Sequence, residues 1–156
     1  MERQWNKDWR KSIIVLSGGF DPVHKGHLRM FREASWLGHQ VIVGLNSDEW
    51  LTRKKGKPFM KWEERAEILE SCKFVNQVIS FDDSDDTAND AIRVVNDMFD
   101  YQNQDYNIYF ANGGDRGKGN VPELDVCKEL NVVMLWGIGG GKIQSSSWLI
   151  NGEENE

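Results

Sequence analysis

Short apolar runs rich in β-branched residues recur along this chain and alternate with segments of helical spacing. Ser12–Ser17 (SIIVLS) and Gln40–Leu45 (QVIVGL) are continuously apolar inside, which is typical of strands buried on both faces of a parallel sheet. Between them, Gly26–Leu37 carries apolar residues at helical spacing, and Gly38 follows as a stop signal. The alternation predicts an α/β fold: a five-stranded parallel sheet with helices on both faces.

The remaining predicted elements continue this alternation. Further strands are predicted at Gln77–Phe81, Asn107–Ala111 and Val132–Leu135. Helices are predicted at Trp62–Cys72, Asp90–Asp100, Pro122–Leu130 and Ser145–Ile150, with one helical turn at Asn46–Leu51 and an acidic turn at Asp82–Asp86. A chain of 156 residues suits a single domain, with its core between residues 12 and 150.

The composition narrows the class of protein. A formal net charge of −6 argues against nucleic acid as the main partner, because phosphate backbones attract basic surfaces. Cys72 and Cys127 stand far apart and in no CxxC pattern, which favours a reduced cytoplasmic protein. No apolar run approaches the roughly 20 residues of a membrane span, and the polar first residues lack the apolar core of a signal peptide.

The stretch SGGFDPVHKGHL joins the first strand to the first helix. In parallel sheets ligands bind beyond the carboxyl ends of the strands, so this turn belongs to the predicted site. Gly18 and Gly19 allow a ligand to approach the backbone, and Gly26 lies at the positive end of the helix dipole. His24 and His27 add side-chain donors for phosphate oxygens. These features predict an anion site.

A metal site at the same turn is the alternative. His24 and His27 could act as ligands, with Asp21 as a third. No cysteine lies nearby in the sequence, and His39 follows the far end of the helix. We therefore predict no metal site formed by protein ligands, and we expect Asp21 to shape the turn together with Pro22.

The segment GGFDPVHKGH resembles the signature of the nucleotidyltransferase superfamily marked by an HxGH motif, the cytidylyltransferase-like group. The resemblance extends from Ile13 to Ile150 and implies a Rossmann-like fold. Its other segments are VGLNSDEW (Val43–Trp50), KPFMKWEERAEIL (Lys57–Leu69), ANGGD (Ala111–Asp115) and QSSSWLI (Gln144–Ile150). Within the superfamily, the chain is most similar to the adenylyltransferase domain of ADP-heptose synthase and, next, to glycerol-3-phosphate cytidylyltransferase.

The resemblance implies transfer of a nucleotidyl group from a nucleoside triphosphate to a phosphate-bearing acceptor, with release of pyrophosphate. It makes His24 and His27 contacts of the triphosphate that stabilise the transition state. Lys54 or Lys55 would reach over the phosphates from a basic loop at Thr52–Lys61, which we expect to be mobile without ligand. Arg65 would bind acceptor or triphosphate oxygens.

The resemblance also implies a nucleotide-binding set and a metal cofactor. The set is Gly18, Gly19, Phe20, Asp21, Gly26, Asp115, Ser145, Ser146 and Ser147. Mg²⁺ would bridge phosphate oxygens with few protein ligands. The expected partners are a nucleoside triphosphate, a small phosphorylated acceptor and a second copy of the chain in a homodimer.

Simpler interpretations of the same residues stay open. The serine run is also typical of a helix cap, and Arg65 could pair with Glu64 or Glu67 on a helix surface. The cations of the basic loop could form a solvated face.

The nucleotide is predicted from a departure from the family pattern. The cytidylyltransferases carry an RTEGIST-like run with an arginine, whereas Gly137–Ser147 (GIGGGKIQSSS) has only Lys142 as a cation. We therefore expect ATP in preference to CTP, and a phosphorylated sugar or polyol as acceptor. The alternatives are a CTP-dependent enzyme of the glycerol-3-phosphate type and a non-catalytic nucleotide-binding module.

Overall fold

The computed structural model describes residues 11–101, 106–113 and 121–139 together with Ile150. Its strands are β1 (Ser12–Gly18), β2 (Gln40–Leu45), β3 (Gln77–Ile79), β4 (Asn107–Gly113) and β5 (Val133–Ile138). Its helices are α1 (Lys25–Leu37), α2 (Asp48–Lys55), α3 (Trp62–Glu70), α4 (Asn89–Tyr101) and α5 (Leu124–Glu129). Within this part of the chain, no helix has both the length and the apolar character of a membrane span.

The strands form one parallel sheet in the order β3-β2-β1-β4-β5. Ile13 of β1 pairs with Gln40 of β2 on one side and with Ile108 of β4 on the other. The chain therefore winds outward from β1 in both directions, and the winding reverses between β1 and β4. Ligands of such sheets bind at this reversal, beyond the carboxyl ends of the strands.

Two apolar layers cover the sheet, one on each face. Ile14 and Leu16 of β1 pack in the layer that contains Phe31 of α1 and Leu69 of α3. Ile13 and Val15, which alternate with them along the strand, pack with α4 and α5 through Ile92, Val95 and Val126. The predicted Rossmann-like α/β fold, a five-stranded parallel sheet with helices on both faces, is confirmed.

The predicted basic loop begins too early, because Thr52 lies in α2. Ser47 caps this helix by accepting a hydrogen bond from the Trp50 amide at 3.0 Å. Acidic residues in the first turn and the run Arg53, Lys54 and Lys55 in the last turn complement the helix dipole, which extends the helix to Lys55. Gly56 ends it with a φ of 89°, a conformation that glycine adopts without steric cost.

Other boundaries differ from the predictions by a few residues. The structure ends α3 at Glu70 instead of Cys72, ends β3 at Ile79 instead of Phe81, and begins α5 at Leu124 instead of Pro122. Strands β4 and β5 continue to Gly113 and Ile138. Element ends are decided by local hydrogen bonds that hydrophobic periodicity does not report.

Candidate functional site

The two histidines of the HxGH turn cap helix α1 with their own side chains. His24 is the N-cap residue, and its Nδ1 accepts a hydrogen bond from the Gly26 amide at 3.1 Å. Nδ1 of His27 accepts from the His24 amide at 3.2 Å, which completes a reciprocal capping box. A neutral imidazole that accepts through Nδ1 carries its proton on Nε2, so each ring is a hydrogen-bond donor through Nε2.

The environment keeps His27 uncharged. Burial, followed by electrostatic interactions with His24 and Lys55, lowers the pKa of His27 to about 3. The rings of His24 and His27 stack with their centroids 3.7 Å apart. Two protonated rings at this distance would repel each other. At neutral pH His27 is therefore a neutral Nε2–H donor.

The residues that precede the histidines, Gly18, Gly19 and Phe20, pack closely against neighbouring side chains. The ring of Phe20 meets the edge of His27 at a centroid distance of 4.7 Å and packs on Phe31 at 5.3 Å. A methyl group added at Gly18 would lie 3.0 Å from Phe20, and one added at Gly19 would lie 3.0 Å from Leu51. Glycine is needed here at least for internal packing. Whether Gly18, Gly19 and Phe20 also contact nucleotide stays a prediction.

Gly26 lies in the first turn of α1, at the positive end of the helix dipole as predicted, and its amide donates to Nδ1 of His24. The reason is the capping box, which uses this amide to orient the first histidine. The Gly26 amide thus orients the ring of His24 through this hydrogen bond.

Asp21 connects the HxGH turn to the loop between α2 and α3. Its carboxylate is buried and accepts hydrogen bonds from the amides of Phe59 and Met60, both at 2.7 Å. The predicted role of Asp21 in shaping the turn therefore extends to a second segment, 38 residues away. The predicted contact between Asp21 and nucleotide is untested.

Arg65 lies inside the protein, with an exposed fraction of 1%. Its guanidinium donates to three main-chain carbonyls: Met60 at 2.9 Å, Gly19 at 2.9 Å and Asn46 at 2.8 Å. It also forms a 2.7 Å ion pair with Asp48. The alternative partners, Glu64 and Glu67, are not the ones it uses.

Arg65 is predicted to bind acceptor or triphosphate oxygens, and in the structure its guanidinium binds protein oxygens. A buried charge is stable only when paired and hydrogen-bonded, and this guanidinium satisfies that need with protein oxygens. Arg65 joins the loops after β1 and β2 to the segment before α3. Its contact with phosphate stays a prediction.

The two candidate lysines, Lys54 and Lys55, stand next to each other in the last turn of helix α2 and have different neighbours. Nζ of Lys54 lies 5.7 Å from the centroid of the Trp50 ring. Lys55 follows the fully buried Leu51 by one helical turn, and Leu51 packs against Gly19 of the HxGH turn. Lys55 is also close enough to His27 to depress the pKa of its imidazole. Trp50 also packs against Gly19, so both lysines end the helix near the HxGH turn, and Lys55 is the one whose charge acts on His27.

Part of the predicted site lies outside the described residues, namely Asp115 and the run Ser145, Ser146 and Ser147. The chain leaves β5 beside helix α1, since a methyl group added at Gly139 would lie 3.1 Å from Met30. Across residues 11–101, 106–113 and 121–139, no three His, Cys, Asp or Glu side chains cluster as metal ligands.

Sequence reasoning missed two acidic residues at the site. Asp48 pairs with Arg65, and Asp83 binds the turn before α2 through Asn46 and Ser47. In the sequence, LNSD carries only the family resemblance and DDSDD only the pattern of a turn. The burial of Asp83 and the pairing of Asp48 with a buried guanidinium are the signals, and both exist only in the folded chain.

Comparison with known sequences agrees with this geometry. The sequence model of the family described as cytidylyltransferase-like matches residues 15–134. The chain is 32% identical over 133 residues to the bifunctional protein HldE of Wolinella succinogenes, covering 84% of this chain and 25% of that protein. It is 39% identical over 72 residues to an ethanolamine-phosphate cytidylyltransferase of Arabidopsis thaliana, covering 46% and 17%. The chain thus spans a quarter or less of the length of these relatives.

A solved structure supports the fold. The lipopolysaccharide core biosynthesis protein from Thermoplasma volcanium GSS1 matches with a TM-score of 0.58 and 21% identity. The match covers 83% of this chain and 98% of that one. At this identity the likeness concerns the path of the backbone.

Proposed function

The chain belongs to the cytidylyltransferase-like family, and from this premise we propose that it transfers a nucleoside monophosphate from a nucleoside triphosphate to a phosphorylated sugar or polyol. ATP is the favoured nucleotide. An oxygen of the acceptor phosphate attacks the α-phosphorus, the bond between the α-phosphorus and its bridging oxygen breaks, and pyrophosphate leaves with the electron pair. The observation that carries the proposal is the histidine capping box, which holds two imidazole donors at the start of α1.

The histidines serve this reaction as fixed hydrogen-bond donors. The acceptor phosphate is already a nucleophile, so the protein needs no strong base. Its task is to position the reactants and to stabilise the charge that develops on the phosphate oxygens. Nδ1 of each ring is held by a backbone amide, so the Nε2–H groups are oriented before substrate arrives. Such preorganised donors cost no rearrangement during the reaction.

Lys55 supplies the mobile positive charge in this proposal. It ends α2 on the face that packs against the HxGH turn, and its flexible side chain can follow the triphosphate. Asp21 and Arg65 act at a distance, by holding together the three segments that surround the histidines.

The fit of Mg²⁺ can be judged from the donor atoms at the site. The carboxylate of Asp21 is used by two amides, and Nδ1 of both histidines faces the backbone. This arrangement suits a metal ion that enters bound to the triphosphate and keeps mostly phosphate and water ligands. When bound, the ion would neutralise part of the phosphate charge.

The segment between α2 and α3 supports a phosphorylated sugar or polyol as acceptor. Lys57, Phe59 and Lys61 are all exposed, while the amides of Phe59 and Met60 are bound to Asp21. A cation–aromatic–cation surface next to the catalytic turn suits a ligand with a phosphate and a carbon skeleton. This local basic surface stands out on a chain of net charge −6.

The preference for ATP rests on the segment after β5. No arginine stands between Gly137 and Gln144, and glycines occupy positions 139–141. Cytosine recognition gains from a positioned cationic donor, whereas main-chain groups can bind the adenine edge. The similarity to an ethanolamine-phosphate cytidylyltransferase keeps CTP as the second candidate.

A homodimer and a cytoplasmic location are parts of the same proposal. Leu28 and Trp36 project from the outer face of α1, and the Trp36 side chain is 69% exposed. Cys72 and Cys127 are free thiols, as expected in a reducing compartment. Sedimentation equilibrium would show a mass of one chain if the dimer proposal is wrong.

Pyrophosphate release tests the reaction directly. The purified chain is incubated with each nucleoside triphosphate and a panel of sugar and polyol phosphates, and we expect the highest kcat/KM with ATP. His27→Asn keeps an acceptor oxygen at the position of Nδ1 but has no donor at the position of Nε2, and should lower kcat about a hundredfold. His39→Asn, at the far end of α1, is the matched control.

Two outcomes would contradict the proposal. A preference for CTP of about tenfold or more would replace it with a cytidylyltransferase. Thermal stabilisation by nucleotide without pyrophosphate release from any acceptor would replace it with a nucleotide-binding module.

A further inference from the structure

The acidic turn after β3 contains a buried carboxylate that the proposed reaction does not use. Asp83 is 4% exposed, and each of its three oxygen atoms accepts hydrogen bonds. One carboxylate oxygen accepts from Nδ2 of Asn46 at 3.0 Å and from the Ser47 amide at 2.7 Å, and the other accepts from the Ser47 hydroxyl at 2.7 Å. The main-chain oxygen accepts from the Asp86 amide at 3.0 Å and from Arg53 at 2.8 Å.

These bonds hold helix α2 near both of its ends. At its start, the hydroxyl of Ser47 accepts from the Trp50 amide and donates to Asp83, so the helix cap and the buried carboxylate form one chain of hydrogen bonds. In its last turn, the Arg53 guanidinium binds the main-chain oxygen of Asp83 and pairs with Asp86 at 3.1 Å. Asp86 has a left-handed φ of 65°, a conformation uncommon outside glycine.

Apolar packing alone does not determine where α2 lies. The helix has eight residues, and Leu51 is its only buried side chain. An isolated helix of this length is unstable in water, so its position depends on the contacts at its ends. Those contacts come from Asp83, Arg53 and, on the other side, the Asp48–Arg65 ion pair.

We infer that the acidic turn Asp82–Asp86 is a positioning element for the reaction: through Asp83 and Arg53 it fixes α2 so that Lys55 stands beside the histidine pair. This inference rests on the proposed function of Lys55. Asp83 touches no substrate in this scheme. Its effect on catalysis passes through the helix and must therefore disappear when Lys55 has no ammonium group.

A double-mutant cycle on kcat/KM for the nucleoside triphosphate tests this dependence. Asp83→Asn removes the charge and leaves an amide that cannot accept from all three donors of Asn46 and Ser47. We expect it to lower kcat/KM about tenfold in the native background and less than about twofold in the Lys55→Ala background. Asp85→Asn is the control, since this exposed carboxylate of the same turn binds only Thr87 among the described contacts.

The outcomes separate the two proposals. If Lys55→Ala itself leaves kcat/KM unchanged, the proposed role of Lys55 is wrong. If Lys55→Ala lowers activity but the effect of Asp83→Asn stays the same in both backgrounds, the acidic turn has only a structural role and the inference fails. Should Asp83→Asn not fold, Arg53→Gln removes the exposed end of the same contact and must show the same dependence on Lys55.

Discussion

At the residue scale, the fold decides the protonation state of His27 in the HxGH turn. An exposed histidine titrates near neutral pH, but His27 is covered by Phe20 and faces His24 and Lys55. The resulting pKa of about 3 keeps the ring neutral throughout the physiological range. Donor strength at this position is therefore insensitive to moderate changes of pH.

The lowered pKa of His27 predicts how the stability of the chain depends on pH. The pKa of His27 is about 3 in the folded chain, below the ordinary value of 6.5 that the side chain has in the unfolded chain. As the pH falls from about 6.5 towards 3, the unfolded state binds this proton first, so the free energy of unfolding decreases. His27→Gln removes this contribution but keeps the capping bond.

Urea unfolding at about pH 7 and about pH 4.5 measures the effect. We expect the native chain to lose more stability on acidification than His27→Gln does. His39→Gln, which replaces an exposed histidine, should behave like the native chain. Equal losses in the native chain and His27→Gln would show that the folded-state pKa of His27 is not lowered.

The two adjacent lysines are expected to differ in their effect on catalysis. Lys55→Ala should raise KM for the nucleoside triphosphate and lower kcat, together about tenfold or more in kcat/KM, because a charge-assisted phosphate contact is lost. Lys54→Ala should have a much smaller effect, since its ammonium group lies over Trp50.

Lys73→Ala is the control for net charge, because Lys73 precedes β3 and therefore lies near the amino end of a strand, whereas the HxGH turn follows the carboxyl end of β1. A larger loss from Lys54→Ala than from Lys55→Ala would reverse the assignment. Steady-state kinetics with saturating acceptor distinguishes the two cases.

At the element scale, Asp21 ties the segment 56–61 to the HxGH turn. Asp21→Asn leaves an amide oxygen that can serve only part of the pair of donors from Phe59 and Met60. We predict faster hydrogen exchange at these two amides, by about tenfold or more, without global unfolding. NMR or mass-spectrometric exchange on the chain without ligand provides the measurement.

Asp90→Asn offers a control of similar chemistry, because Asp90 accepts one exposed hydrogen bond from the Asp82 amide. It should accelerate exchange at Asp82 and leave Phe59 and Met60 unchanged. If both variants leave exchange at Phe59 and Met60 unchanged, the two bonds to Asp21 do not hold the segment.

At the scale of the whole molecule, nucleotide should stabilise the fold by binding to several segments at once. The turn after β1 and helix α2 are joined by Arg65, so a ligand between them stabilises the folded state only. With ATP at about 100 times its Kd, the free energy of unfolding should rise by about 2.7 kcal/mol, which raises Tm by about 5 °C or more.

Adenosine at the same concentration is the comparison, since it lacks the phosphates. We expect a much smaller shift in Tm with adenosine, because the predicted contacts of the HxGH turn are to phosphate oxygens. Equal shifts with ATP and adenosine, measured by calorimetry, would mean that the histidine turn does not bind the phosphates.

The sequence by itself determined the architecture and the central motif. Apolar runs such as SIIVLS and QVIVGL can be buried on both faces only in a covered parallel sheet, and β1 and β2 form where these runs stand. The HxGH turn was likewise readable, because a strand, a glycine-rich turn and a helix start are consecutive in the chain. Both features are formed by residues that are consecutive in the chain, so the sequence pattern is sufficient to predict them.

Only the tertiary structure decided which distant side chains contact one another around the HxGH turn. Arg65 and Gly19 are 46 residues apart, and Asp83 and Ser47 are 36 residues apart, yet these contacts determine how α2 and α3 meet the histidines. The electrostatic effect of Lys55 on His27 likewise depends on how α2 packs against Gly19 through Trp50 and Leu51. Such contacts arise from the mutual placement of loops at the carboxyl edge of the sheet, and no periodicity along the chain encodes a partner at that distance.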